Sequence, residues 1–404
     1  CGDYQFYRLI ERLESDLGSR IGPAGFINVV VLFDRIANGG RPCNSGGTTR
    51  YFIQPNASYT VDVNIWQPGL DYNMGDPETL VHFVTWAMRN YPAEHYYLAI
   101  ENHGNGIAGI AWDYTSRDTI GRLDQLTNRE LHSALKTITR NGERKLDILA
   151  YEACLMGTYE NAFDARDFAD YLFFFPTVSY TNKASYPAYL GSSQLTPATT
   201  GRELGEIMFD IYEETVTIQP YVMTLVDTTA VGTLHAAINA WADALIAALP
   251  TQRAEVSRAR RLAQKIDSTT RGDDFQAQLT EEDYYLDIWD LADLFEAEGI
   301  APNESRAVKA AVEAVVLQTT NHSRSTLDYS RSHGLTIYWP KTAGGHYRGY
   351  VQDEIYSATV QGRWDEFLQA YFGDDIGGLP ANDGPVRRER AAEAAVIYLP
   401  IVGR

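Results

Sequence analysis

Residues 26–33 read Phe-Ile-Asn-Val-Val-Val-Leu-Phe, a nearly unbroken apolar run rich in valine. Eight residues of this kind, with polar and glycine-bearing sequence on both sides, predict a strand buried on both faces. Such strands need cover from two layers, and the chain supplies it. Further strand-like runs lie at 96–101 (YYLAIE), 146–151 (LDILAY), 171–180 and 222–226. Helical patterns separate them at 77–90, 128–139, 155–168 and 201–216, the first opened by Asp76 as N-cap and Pro77 at the first helical position. Strands alternating with helices predict a largely parallel sheet with helices on both faces.

The remaining segments are less regular. Residues 4–17 place Phe6, Leu9, Ile10, Leu13 and Leu17 on one helical face. Residues 37–49 form a glycine-rich loop, and 50–53 and 61–65 suit a hairpin or edge strands. Residues 229–318 are mostly helical in pattern, 334–339 (GLTIYW) returns as a strand, and 363–372 closes with a helix. Residues 377–404 begin with glycine and proline and end apolar (AAVIYLPIV), which predicts a linker and a docking or anchoring tail.

Composition excludes several classes of function. The chain has 404 residues, with 34 Lys+Arg against 53 Asp+Glu and a net charge of −19, so it repels phosphate backbones and nucleic acid is not an expected partner. No apolar run approaches the ~20 residues of a membrane helix. The longest candidate, at 236–249, carries Asp243. Three cysteines are too few for a disulfide scaffold. The sequence begins at Cys1, which suits a processed chain or a fragment. Cys1 is a candidate for lipid attachment, as in bacterial lipoproteins, or for pairing with Cys43. Either way Cys154 is left over.

Two strands of the predicted sheet run into residues that carry chemistry. Strand 96–101 leads into Asn102-His103-Gly104-Asn105-Gly106, and strand 146–151 into Glu152-Ala153-Cys154-Leu155-Met156-Gly157. The carboxyl ends of strands are where such sheets gather their ligands, so His103 and Cys154 are expected at one edge. A neighbouring imidazole raises the thiolate fraction of a thiol. If a helix starts at Cys154, its unpaired N–H groups favour the anion as well. Gly104 lets backbone approach a substrate closely, leaving its N–H available to a developing oxyanion. The residues alone leave a second reading open, a buried inert cysteine beside an unrelated loop histidine.

Other motifs are weaker. Gly104, Gly106 and Gly109 match the dinucleotide fingerprint, but a polar loop follows instead of a helix. HExxH, CxxC, GxSxG and GKS/GKT are absent from the sequence. Residues 71–76 fall short of a calcium loop. His333-Gly334 repeats the His-Gly pair but precedes its strand, and ranks second.

Taken together, YYLAIENHGNG and LDILAYEACLMGTYENAF resemble the clostripain family of cysteine peptidases, relatives of caspases, gingipains and legumain on the caspase-like fold. The resemblance extends to MGDPETLVHFVTWAMRNYPAEHYYLAI, DYLFFFPTVSY, HGLTIYWPK and RWDEFLQAYF, and so covers residues 26–373 in order. It implies that His103 is the general acid/base, Cys154 the nucleophile, and the Gly104 and Cys154 amides the oxyanion hole. The family usually carries Asp two residues before the nucleophile, lining a pocket for Arg or Lys; Glu152 stands there. A second pocket acid commonly follows the next strand, whereas residues 174–182 hold no carboxylate. Ser179, Tyr180 and Asn182 are the pocket candidates in its place. Members are often cut between the two motifs, and Arg117 or Arg122 is the expected self-cleavage site; Arg140, Arg144 and Lys145 lie in the same interval.

The sequence therefore predicts a caspase-like α/β/α sandwich with a mostly parallel central sheet and a mainly helical C-terminal portion. Four parts are expected: a helical lead (1–25), a catalytic core (26–230), a helical region returning one strand (231–375), and a linker with an apolar tail (376–404). The expected function is a cysteine endopeptidase cutting after Arg or Lys, acting as a monomer on protein or peptide substrates, secreted or at a bacterial cell surface. It needs no cofactor or metal; calcium dependence is known in the family, but no loop here specifies it. The alternatives are a catalytically silent caspase-like binding module, or a transpeptidase that transfers the acyl group.

Overall fold

The computed structural model describes residues 20–21, 25–34, 47–54, 71–119, 121–179, 185–217, 219–269, 277–324, 326–343, 350, 362–373 and 396–402. The predicted lead helix at 4–17, the strand at 61–65, and Cys1 and Cys43 lie outside them.

The run at the N-terminal end forms β1 (Ile27–Phe33), and every residue in it is buried. Its alternate side chains serve two separate apolar cores, Val30 and Leu32 in one and Val29, Val31 and Phe33 in the other. The same division holds in β3 (His95–Glu101), β6 (Leu146–Glu152) and β7 (Ala169–Phe174). Both faces are therefore covered, which is why these segments show no polar alternation.

The main sheet has eight strands in the order β11-β8-β7-β6-β3-β13-β1-β2, where β2 is Thr49–Ile53, β8 is Thr224–Asp227, β11 is Val316–Thr319 and β13 is Val396–Val402. The β3–β6 and β6–β7 pairs at its centre are parallel. The other pairs are antiparallel, so β1, β3, β6, β7 and β11 point one way and β2, β8 and β13 the other. The C-terminal segment predicted to dock enters the sheet between β1 and β3.

Helices α1 (Pro77–Asn90), α2 (Asn128–Ile138) and α3 (Tyr159–Ala165) pack on one face through residues such as Phe83, Leu131 and Phe163. On the opposite face lie α4 (Ser185–Leu190) and α5 (Gly201–Thr215), through Tyr186, Tyr189, Leu204 and Met208. The helix starts follow the sequence. The Asp76 carboxylate accepts from Glu78 N–H, and Thr127 with Glu130 and Thr200 with Glu203 form reciprocal capping boxes.

The C-terminal portion departs from expectation. It contains α6 (Val231–Leu262), α7 (Ile288–Ala297), α8 (Pro302–Val315) and α9 (Trp364–Phe372), and α6 bends at Gln252 beyond Pro250. It also returns more than one strand. Besides β11 and β13, a second sheet runs β12-β10-β9, made of Thr336–Tyr338, Tyr285–Asp287 and Lys265–Ile266. Strands of two and three residues are too short to show a period of two, and their partners are distant in sequence (Tyr285 pairs with both Ile266 and Tyr338). Tyr285, Leu286, Ile337 and Tyr338 belong to the same apolar core as α1, α2 and α3, and β12 packs against α3, so this sheet lies against the main sheet's helical cover.

Candidate active site

β3 and β6 are parallel neighbours in a register that sets Glu101 opposite Glu152. Both chains then leave the sheet at the same edge, one toward His103 and the other toward Cys154. Asn102 shapes the first exit. Its Oδ1 accepts from the His103 N–H at 2.6 Å and from the Trp112 N–H at 3.0 Å. The His103 ring meets Tyr114 edge-on, with centroids 6.2 Å apart. Gly106, at φ +58°, and Gly109, at φ +122°, turn the loop back into β4 (Ile110–Arg117) through a single 3₁₀ turn. No long helix waits there for a pyrophosphate, in keeping with the weak standing of the fingerprint.

Cys154 is a half-buried thiol outside any disulfide, in a tight turn. Leu155, directly after it, is held at φ +66°, a left-handed conformation that costs a non-glycine residue on the order of 1 kcal/mol. Backbone bonds hold it there: Leu155 N–H donates to Thr177 O at 2.9 Å and Gly157 N–H to Phe175 O at 3.0 Å. The Cys154 turn is thus tied to the chain just past β7 and runs back along it in the antiparallel sense. That corrects the expected helix at 155–168. The helix begins at Tyr159, capped by Thr158, so Cys154 is not at its first turn. In place of a helix end, the sulfur accepts the Ser179 N–H at 3.4 Å. A donor aimed at sulfur favours the anion by the same physics.

The two exits touch. A Cβ added to Gly104 would lie 2.2 Å from Cys154 O, 2.9 Å from Ala153 Cβ and 3.0 Å from Met156 Cγ. Only a residue without a side chain fits at 104, and this close approach carries the neighbouring His103 toward the Cys154 turn.

Beside the thiol, Glu101 and Glu152 stand side by side, each 7% exposed. Tyr97 Oη donates to Glu152 Oε1 at 3.1 Å and Tyr186 Oη to Glu101 Oε2 at 3.4 Å, while Tyr189 Oη lies 3.3 Å from Tyr97 Oη. Burial pushes the Glu152 carboxyl up to about 8, and the charge of Glu101 adds to the rise. Sequence reasoning singled out Glu152 and missed Glu101, Tyr97, Tyr186 and Tyr189. One signal was available: each glutamate precedes its reactive residue by two positions, and parallel pairing of β3 with β6 sets equivalent positions side by side.

The other expected residues fall as follows. Ser179 reaches Cys154 through its amide; Tyr180 and Asn182 lie outside the described residues. Arg117 and Arg122 are exposed at the tip of the hairpin that β4 makes with β5 (Leu123–Leu126). Arg144 and Lys145 precede β6, at the end of the sheet away from Cys154, and are engaged there with Tyr96 Oη at 2.8 Å and Arg166 O at 3.0 Å. His333 stacks on Trp289 and bonds to buried Asp287 at 3.3 Å. Among the described residues, no three His, Cys, Asp or Glu side chains converge to hold a metal ion.

The model of the Clostripain family matches residues 14–371. The chain belongs to that family. Clostripain from Hathewaya histolytica is 37% identical over 103 residues, which make up 23% of this chain and 19% of that protein; the match thus spans about a fifth of the relative's length. Among solved structures, the inactive zymogen C11 protease of Parabacteroides distasonis is 14% identical with a TM-score of 0.53, covering 92% of this chain and 94% of that one. A secreted C11 cysteine protease of Bacteroides thetaiotaomicron, bound to an irreversible peptide inhibitor, is 15% identical with a TM-score of 0.52, covering 84% of this chain and 85% of that one. These likenesses show the fold of the clostripain relatives, the caspase-like sandwich, over most of the chain. None of the described helices is long and apolar enough to cross a membrane.

Proposed function

We propose that this clostripain-family chain is a cysteine endopeptidase in which Cys154 attacks the scissile carbonyl and His103 moves the protons. The observation that carries it is the close approach of Gly104 to Cys154 O, which brings the histidine loop against the turn of a half-buried thiol that is not in a disulfide. In the first step His103 takes the thiol proton, the sulfur bonds to the carbonyl carbon, and the oxyanion meets the Gly104 and Cys154 N–H groups. His103 then gives its proton to the leaving amine, and an acyl-enzyme remains. Water, deprotonated by the same imidazole, releases the acid. This chemistry needs no cofactor. No step here passes through calcium.

The buried carboxylate of Glu152 supports a basic side chain at the residue before the cut, since an incoming guanidinium or ammonium supplies the countercharge that burial demands. Arg117 and Arg122, exposed at a hairpin tip beyond the His103 loop, are the favoured self-cleavage points, and the likeness to a zymogen supports a maturation cut. Secretion, as for the Bacteroides relative, is the expected location.

Incubation with a peptide ending in an Arg or Lys acyloxymethyl ketone tests the reading. The wild type should be labelled at Cys154 and should cleave matched substrates, and Cys154→Ala should do neither. Absence of labelling in the wild type, with either basic residue, would favour a silent binding module. Capture of the acyl group by an added amine in preference to water would favour a transpeptidase.

A further inference from the structure

A thiol and an imidazole carried on separate crossovers must be held at a fixed separation, and one buried side chain behind the site meets both loops. Asn161 lies in the first turn of α3 and is 3% exposed. Its Nδ2 donates to Met156 O at 2.9 Å, two residues past Cys154, and to Gly106 O at 3.4 Å, three residues past His103. Its orientation is set from behind, because Asn128 Nδ2, at the start of α2, donates to Asn161 Oδ1 at 2.5 Å. With the oxygen occupied in that way, the amide can only offer its N–H groups to the two carbonyls. The histidine loop is gripped from its other side by the small sheet. Tyr285 Oη accepts from Ile107 N–H at 2.9 Å and donates to Asn105 O at 3.3 Å, and a Cβ on Gly106 would fall 2.0 Å from that oxygen.

We propose that Asn161 is a positioning residue whose amide sets the spacing between the nucleophile turn and the histidine loop, with Tyr285 fixing the far side of that loop. The inference rests on the proposed pairing of Cys154 with His103. Asn161 touches no reacting atom; it acts through the Met156 and Gly106 carbonyls. Removing its donors leaves Met156 O to the Thr158 N–H at 2.9 Å and Gly106 O to the Gly109 N–H at 3.4 Å, so each loop keeps its own turn bond while the tie between the two loops is lost and they move apart. A displacement of about 1 Å is enough to cost ~100-fold in rate.

The test follows alkylation of Cys154 by iodoacetamide as a function of pH, read on the Cys154 peptide by mass spectrometry. The proteins are wild type, His103→Ala, Asn161→Leu, Asn161→Ala and Tyr285→Phe, each with its thermal midpoint. The wild type should react rapidly below pH ~7 through a His103-dependent thiolate. In folded Asn161→Leu or Asn161→Ala that low-pH reactivity should fall at least tenfold, and the midpoint should move toward the ordinary thiol value of about 8.5. Folded Asn161 variants that keep the wild-type profile overturn the inference. If neither variant is folded at the assay temperature, Tyr285→Phe, which removes one hydroxyl, decides: an unchanged profile overturns it too. A His103→Ala profile identical to wild type refutes the dyad itself, an outcome separate from failure of Asn161 alone.

Discussion

Gly104→Ala is the sharpest perturbation of the site, because the structure sets its size. An alanine Cβ at 104 would sit 2.2 Å from Cys154 O, where ordinary contact begins at 3.4 Å. Something must therefore move by about 1 Å. The obstructing atom is backbone, held by the Leu155-to-Thr177 and Gly157-to-Phe175 bonds. Yielding thus displaces either the nucleophile turn or the His103 loop. A misplacement of that size costs ~100-fold in kcat, about 2.7 kcal/mol of transition-state stabilisation. Glu152, the carboxylate proposed to hold the substrate side chain, is fixed in β6 ahead of the displaced turn, so KM should change by less than about threefold. Steady-state kinetics on an Arg or Lys peptide substrate, with circular dichroism to verify folding, measures the split. A folded Gly104→Ala enzyme with wild-type kcat would show that the close approach has no part in the chemistry.

Two further outcomes follow from the carboxylates and the hairpin. Glu152 titrates from about 8 in the folded chain against an ordinary 4.5. Its folded value is raised, so its contribution to stability is full below about 4.5 and is lost as the pH climbs toward about 8. Glu152→Gln should therefore raise the thermal midpoint at pH 8.5 while changing it little at pH 4.5. The same variant should lose the rise in kcat/KM for an Arg substrate between pH 7 and 9, with at least a tenfold drop at pH 9; a wild-type profile in Glu152→Gln would remove Glu152 from recognition. Mutation of both Arg117 and Arg122 to Ala should leave the chain as a single band on denaturing gels under conditions that split the wild type, and a fragment pattern that persists would place the cut elsewhere.

Several features were legible in the sequence for plain physical reasons. A strand buried on both faces must be apolar throughout, so β1, β3 and β6 announced themselves. Helix caps are local, so Asp76 and the start of α1 were readable within a few residues. Less could be read where the cause was distant. The helix after Cys154 was expected too early because Leu155, Met156 and Gly157 have helical neighbours in sequence, whereas their partners, Phe175 and Thr177, lie some 20 residues on. The strands β9 and β10 were overlooked because nothing within two or three residues records that Ile266 pairs with Tyr285, or Tyr285 with Tyr338.

The linear order of residues determined by itself which groups reach the edge of the sheet. Whatever follows an apolar strand in a doubly covered sheet must emerge at that strand's carboxyl end, and here those groups are an imidazole and a thiol. Tertiary structure decided everything that depends on adjacency. It set β3 beside β6 in a register that pairs Glu101 with Glu152, closed Gly104 onto Cys154, and laid Tyr97 and Tyr186 against the carboxylates. It also brought Asn161 and Tyr285 behind the two loops. Apart from the Asn161–Met156 bond, those relations join residues some 50 to 180 positions apart, and a contact at that separation exists only once the chain has closed on itself.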